Sequence, residues 1–160
     1  FTEREVPFVD EFPDLEILRE VDVRKLEEEI EPVGFQRMRS RALKEISSEH
    51  DELPRDADEL RELPRVGRYV ANETLSIALG RRLPLVDRNV NRVYGRLLGD
   101  EWPETEPKKW ETAAELLPDE SEREYNLALL DFAAGICKPE PLCHNCFATG
   151  LCNYYRDINS

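Results

Sequence analysis

The chain has 160 residues and a mass of 18.6 kDa, room for one ordinary domain or one body of two small lobes, and its 40% hydrophobic residues supply a core that a disordered chain would lack. Acids outnumber bases 35 to 22, for a net charge of -13, and 17 of the bases are Arg; this acid-rich, Lys-poor balance is that of a protein kept hydrated in a salt-rich cytosol and by itself argues against a polyanionic partner. No apolar run reaches the length of a membrane span and Phe1-Thr2-Glu3-Arg4 is not a secretion signal, so neither a membrane protein nor a secreted one is expected.

The periodicity is helical nearly throughout, which makes the class all-α. Pro13-Asp14 opens a helix with Leu15, Leu18 and Val21 on one side. Asp22 caps the next, whose stripe is Leu26, Ile30 and Val33 and whose end is Gly34. Residues 35–49 form a third helix, with Phe35, Met38, Ala42 and Ile46 inward and its arginines outward. Short helices follow at 56–62 and 68–79, the second stopped by Gly80. Asp87 precedes a helix at 88–98 with Val90, Val93, Tyr94 and Leu97 as its apolar stripe, and two more helices cover about 107–117 and 121–135.

Charge is unevenly spread along these elements. Residues 34–46 carry four bases and one acid, and residues 61–98 carry eight arginines against three acids. Arginine retained inside an acidic protein is the footprint of a phosphate-binding face, although mixed charges on a solvated helix read the same way. Within the second island Arg88, Arg92 and Arg96 recur at helical spacing as a basic ridge.

Three short stretches carry candidate chemistry. Leu63-Pro64-Arg65-Val66-Gly67 is a tight hairpin between two helices. Gly67 is expected to supply a positive φ, and the backbone N–H groups of the helix that follows, starting at Arg68, are suited to an anion such as a DNA phosphate. Asp87 is a helix cap by position, yet it is also a lone carboxylate inside a basic island. Finally, Cys137, Cys143, Cys146 and Cys152 lie within sixteen residues, four thiolates for one tetrahedral zinc or one 4Fe-4S cubane; the single CxxC flanked symmetrically favours iron-sulfur.

Read together, the stretches resemble the helix-hairpin-helix (HhH-GPD) DNA glycosylases with an iron-sulfur cluster loop, the endonuclease III and adenine-mismatch glycosylase superfamily. LPRVGRYVAN resembles the hairpin and its following helix, VDRNVNRVYGRL the catalytic-Asp segment, and YNLALLDFAAGIC the approach to the cluster cysteines. The resemblance implies a bilobal fold, a helical barrel lobe in residues 1–84 and a catalytic-Asp and iron-sulfur cluster lobe in residues 85–160. It implies a cytoplasmic, nucleoid-associated prokaryotic monomer that grips double-stranded DNA and flips the target nucleotide out of the stack. Asp87 falls at the catalytic carboxylate, which would stabilise an oxocarbenium-like sugar or activate water, with Asn89 orienting it. Tyr69 stands where bifunctional relatives place a nucleophilic Lys, and a phenol cannot form a Schiff base. This points to base excision repair by a monofunctional glycosylase, with adenine opposite guanine or 8-oxoguanine ahead of thymine or uracil opposite guanine. An endonuclease III-like lyase and a non-catalytic iron-sulfur DNA-binding module are the alternatives. The sequence departs from the family in having Arg65 for the hairpin's first Gly, five residues in the first cysteine spacing, and no counterpart of the N-terminal helix, so a fragment or a shortened protein is expected.

Overall fold

The structure, a computed structural model, describes residues 5–160, with side chains from Phe8 onward, and every regular element among them is helical. In chain order these are α1 Glu5–Glu11, α2 Leu15–Glu20, α3 Val23–Ile30, α4 Gln36–Glu49, α5 Ala57–Glu62, α6 Arg68–Leu79, α7 Arg88–Leu98, α8 Glu106–Glu115, α9 Glu122–Gly135 and α10 Asn153–Ile158. None is long and apolar enough to cross a membrane. Four of them begin at an aspartate whose side chain accepts backbone N–H groups of the first turn: Asp14, Asp22, Asp56 and Asp87. Each cap satisfies donors that have no acceptor inside the helix.

Internal packing divides the chain within α6, after Ala71. The division falls earlier than the 84/85 boundary read from the sequence, because the later part of α6 and the segment after it are hydrogen-bonded to one another. Asn72 of α6 donates to the Pro84 carbonyl at 2.9 Å, and Ser76 meets Asn126 of α9 at 3.3 Å.

In the first unit Phe12, Leu18, Leu26 and Ile30 form the core, with Phe8, Leu15, Val21 and Leu43 packed against them. Polar side chains stitch α2 to α4. Lys44 donates to the carbonyls of Leu18, Arg19 and Val21, the open C-terminal end of α2, and Arg19 donates to those of Ser47 and His50. Three residues expected inside are exposed: Val33, Met38 and, at 71%, Phe35. Gly34 and Phe35 both have positive φ, at 78° and 54°, so the chain turns left-handed just before α4 and carries Phe35 away from the inward face. That face is held by Ser40, Ala42, Ile46 and Ser47 instead.

In the second unit α7 packs against α9 and α10 and buries Val90, Val93 and Tyr94, as its apolar stripe requires. Tyr94 stacks on Trp102 with ring centroids 4.9 Å apart, and the Trp102 indole donates to Asn91 at 2.8 Å. Helix α10 closes onto α7 through Asn153, which donates to the Leu98 carbonyl at 2.6 Å. Gly99 has φ +57°, and a Cβ there would sit 2.9 Å from the Asn153 amide nitrogen, so both backbone and space require glycine.

Candidate active site and cysteine loop

In the first unit the hairpin is a four-residue turn in which the Val66 N–H donates to the Leu63 carbonyl at 3.1 Å. Pro64 occupies its second position, and Arg65 its third with φ +64°, the pattern of a type II turn. The residue expected to turn left-handed was Gly67; the structure assigns that role to Arg65. Gly67 instead immediately precedes α6, its carbonyl accepting the Ala71 N–H at 3.0 Å. Leu63 is buried and anchors the turn, whereas Arg65, Gly67 and Arg68 are exposed and Val66 and Tyr69 half-buried. Pro64 and Arg65 border a groove of about 580 Å³ whose other wall is Arg37, Met38, Arg41, Ala42 and Glu45 of α4. Three arginines line it against one glutamate, so the first basic island meets Arg65, near the start of the second, there.

In the second unit Asp87 is half-buried, and its carboxylate is fixed at both oxygens. Oδ1 accepts from the backbone N–H groups of Asn89 (2.8 Å) and Val90 (2.7 Å), and Oδ2 accepts from the Asn89 side-chain amide at 2.7 Å. The positive end of the α7 dipole favours a negative charge at this place. Asn89 in turn accepts from Arg92 Nη1 at 3.0 Å. Arg92 then reaches the start of the cysteine loop, donating from Nε to the Cys137 carbonyl at 2.9 Å and from Nη2 to the Ala133 carbonyl at 3.0 Å. A continuous chain of hydrogen bonds thus joins the candidate catalytic carboxylate to the first cysteine.

This corrects the basic ridge. Arg88 is exposed, but Arg92 is committed within the unit, and Arg96 donates to the carbonyls of Lys138 and Pro139 (2.7 Å for the latter) and to Cys137 Sγ at 3.5 Å, while its guanidinium lies 4.8 Å from the Tyr154 ring centre. The loop presents unpaired carbonyls that need donors, and a planar guanidinium with several N–H groups meets them.

Cys137, Cys143, Cys146 and Cys152 are all half-buried, none is in a disulfide, and all four line one cavity of about 330 Å³. Leu97, Phe132, Ile136 and Phe147 contribute apolar wall. Among the described residues the thiols share this cavity without three of them, or three of any His, Cys, Asp and Glu, converging tightly on one point. Tyr94 and Tyr125 border the same cavity and hydrogen-bond to each other at 3.0 Å; burial first, and the Tyr125 hydroxyl second, push the Tyr94 phenol well up.

Comparison with known proteins supplies the context for these two sites. Residues 3–119 match the model of the HhH-GPD superfamily base excision DNA repair proteins. The chain belongs to the HhH-GPD superfamily. It is 36% identical to the thymine-DNA glycosylase of Aeropyrum pernix over 87% of this chain, and 34% identical to the thymine/uracil-DNA glycosylase of Pyrobaculum aerophilum over 93%. It spans 66% and 70% of the lengths of those two proteins. A solved thermostable thymine-DNA glycosylase superposes with a TM-score of 0.86 at 28% identity, covering 97% of this chain and 76% of that one. An endonuclease III trapped as a covalent intermediate on DNA superposes at 0.83 and 26%, covering 99% and 77%.

Within this HhH-GPD chain the sequence singled out the hairpin, Asp87, Asn89 and the four cysteines as candidates, and the structure bonds Asn89 to Asp87 and sets the cysteines around one cavity. It did not locate the support of Asp87 on its N-terminal side, where Asn72 and Asn126 bond to residues 83–85. Buried asparagine in a helix is the available signal, since an amide out of water needs partners.

Proposed function

We propose that this chain is a monofunctional DNA glycosylase of base excision repair, a cytoplasmic monomer that removes thymine or uracil mispaired with guanine from double-stranded DNA. The observation that carries the reading is the Asp87 carboxylate, half-buried at a helix N-terminus and held at both oxygens in a defined orientation. Excision of adenine, which the sequence placed first, now stands second. The thymine and uracil glycosylases match over two thirds or so of their length, whereas the adenine glycosylases of mouse and human match over 31% and 22% of theirs.

Each residue then has a task. The turn Leu63–Gly67 with Arg68, the α4 arginines of the groove, and Arg88 bind phosphates and set the register of the protein on DNA without reading sequence. The target nucleotide is extruded because its glycosidic bond is inaccessible in the stack. As that bond breaks, the negative charge of Asp87 opposes the positive charge growing on the sugar, or takes a proton from the attacking water. Asn89 keeps the carboxylate from rotating away, and Tyr69, lacking an amine, leaves the strand uncut.

The same reading gives Cys137, Cys143, Cys146 and Cys152 to a 4Fe-4S cluster. The donor set fits: four thiols around one cavity, none in a disulfide and one with a guanidinium N–H aimed at its sulfur, suit an anionic thiolate centre. A single zinc needs its sulfurs about 2.3 Å from one point, which a shared cavity matches less well. Bound there, the cluster would cross-link the loop and fix its shape. Arg92 and Arg96 hold that loop by its carbonyls from the side of α7.

Single-turnover assays on duplexes carrying thymine or uracil opposite guanine, and adenine opposite 8-oxoguanine, test the function. Base release should be seen with strands that break only after alkali. Breakage without alkali would support the lyase; no release from any duplex would leave the non-catalytic DNA-binding module.

A further inference from the structure

Residues 80–87 have no regular secondary structure, yet Pro84, Leu85 and Val86 are buried. A buried irregular segment must find a partner for each backbone polar group without the help of a helix or a ladder. Side-chain amides provide them here. Asn126, 2% exposed in α9, donates from its amide nitrogen to the Leu83 carbonyl at 2.9 Å and accepts the Leu85 N–H at 3.3 Å. In extended chain the carbonyl of one residue and the N–H two residues later face the same way, so one amide takes both, as a parallel neighbouring strand would. Asn72, 4% exposed in α6, donates to the carbonyl of the intervening Pro84 at 2.9 Å. The second amide hydrogen of Asn126 goes to Ser76 Oγ at 3.3 Å.

Three consecutive residues are therefore gripped, and the grip ends two residues before Asp87. On the other side of Asp87, Asn89 and Arg92 hold the chain, and Arg92 ends on the Ala133 carbonyl. Asn126 and Ala133 both belong to α9. One helix thus supports the carboxylate from both sides: the Asn126 amide holds the chain before Asp87, and the Ala133 carbonyl takes the guanidinium of Arg92 after it.

We infer that Asn126 and Asn72 are positioning residues for the excision step: by fixing the backbone of Leu83–Leu85 they set where the Asp87 carboxylate sits. The inference rests on the reading of Asp87 given above. Their place in the chain is unlike that of residues that only fill a core. Each amide donates to a carbonyl of the strap that delivers Asp87, and replacing either by an apolar group leaves that carbonyl without its donor.

The test uses Asn126→Asp, which keeps the acceptor for Leu85 but sets an oxygen against the Leu83 carbonyl, and Asn72→Ala, which removes the donor to Pro84. Two readouts are combined. The backbone amide signals of Asn89 and Val90, whose N–H groups donate to Asp87, should move in the ¹⁵N–¹H spectra of both variants while those of residues 93–98 stay in place. Single-turnover excision at saturating DNA should fall about tenfold or more, the scale of losing one oriented catalytic group, with affinity for duplex DNA within about twofold of the parent. Folded variants with unmoved Asn89 and Val90 signals and parental rates would overturn the inference. So would loss of folded protein in both, which would make the asparagines elements of stability alone. A parent that releases no base defeats the functional reading separately, and the amide signals still decide whether the two asparagines place the carboxylate.

Discussion

Asn89 Oδ1 accepts from Arg92 Nη1 at 3.0 Å, and this contact fixes which way round the Asn89 amide lies. A guanidinium only donates, so the oxygen must face it, and the amide nitrogen is left for the Asp87 carboxylate. Arg92→Lys tests the arrangement while keeping the charge. One ammonium cannot serve Asn89, Cys137 and Ala133 in three directions. The variant should lose about 2–3 kcal/mol of stability, the scale of one or two charged hydrogen bonds, and excise more slowly. Chemical denaturation and single-turnover kinetics measure the two effects; parental stability would mean the guanidinium bonds contribute nothing.

Arg88 and Arg96 separate DNA contact from loop support. Arg88 is exposed, and if it contacts phosphate as proposed, Arg88→Glu should weaken binding to every duplex alike and flatten the salt dependence with little change in stability, since phosphate contacts carry no sequence information. Arg96→Glu should instead destabilise the loop at Lys138 and Pro139. Titrations at several salt concentrations, set beside melting curves, distinguish the two; equal behaviour of both variants would restore the single ridge.

Arg65 occupies a left-handed position that costs a side-chain-bearing residue about 1–2 kcal/mol. Arg65→Gly should relieve most of that strain and raise the melting temperature by a few degrees. Removing the charge from the groove shared with Arg37 and Arg41 should at the same time weaken DNA binding modestly. A lower melting temperature would show that the turn draws stability from the Arg65 side chain itself.

These variants also mark where the sequence was sufficient. Helix starts at Asp14, Asp22, Asp56 and Asp87 were legible because a cap is a local bond between a side chain and the next turn. The direction of Phe35 was not, since helical spacing presumes a helix and two left-handed residues interrupt it. Arg92 and Arg96 have the spacing of a solvent ridge and of a loop clamp equally. Their partners lie 41 to 45 residues further on, at carbonyls that any residue type could supply. Asn126 was hidden for the same reason, its bonds to Leu83 and Leu85 reaching back across more than 40 residues.

The cysteine loop predicts colour. Protein purified without oxygen should be brown and carry about four irons per chain, and Cys146→Ser should lose both together with the order of the loop. Metal analysis and visible absorbance decide between the cluster and zinc. Stoichiometric zinc without absorbance would assign the cavity to a mononuclear site.

Asp87→Asn separates the cap from the catalyst. As a cap, asparagine equals aspartate, since its oxygen can still accept from Asn89 and Val90. The second position differs: an amide NH₂ there faces the Asn89 NH₂, donor against donor. Asn89 cannot flip to relieve this without turning its donors on Arg92. The variant should therefore lose about 1 kcal/mol, one neutral hydrogen bond's worth, rather than nothing. The rate should fall far more, by about 10²–10⁴, because the amide carries no charge to oppose the cation on the sugar and is a poor base. DNA binding should persist or tighten, a carboxylate having left the face proposed to meet phosphate. Single-turnover excision, duplex affinity and melting temperature are measured on one preparation; unaltered excision in a folded variant would return Asp87 to the role of a helix cap.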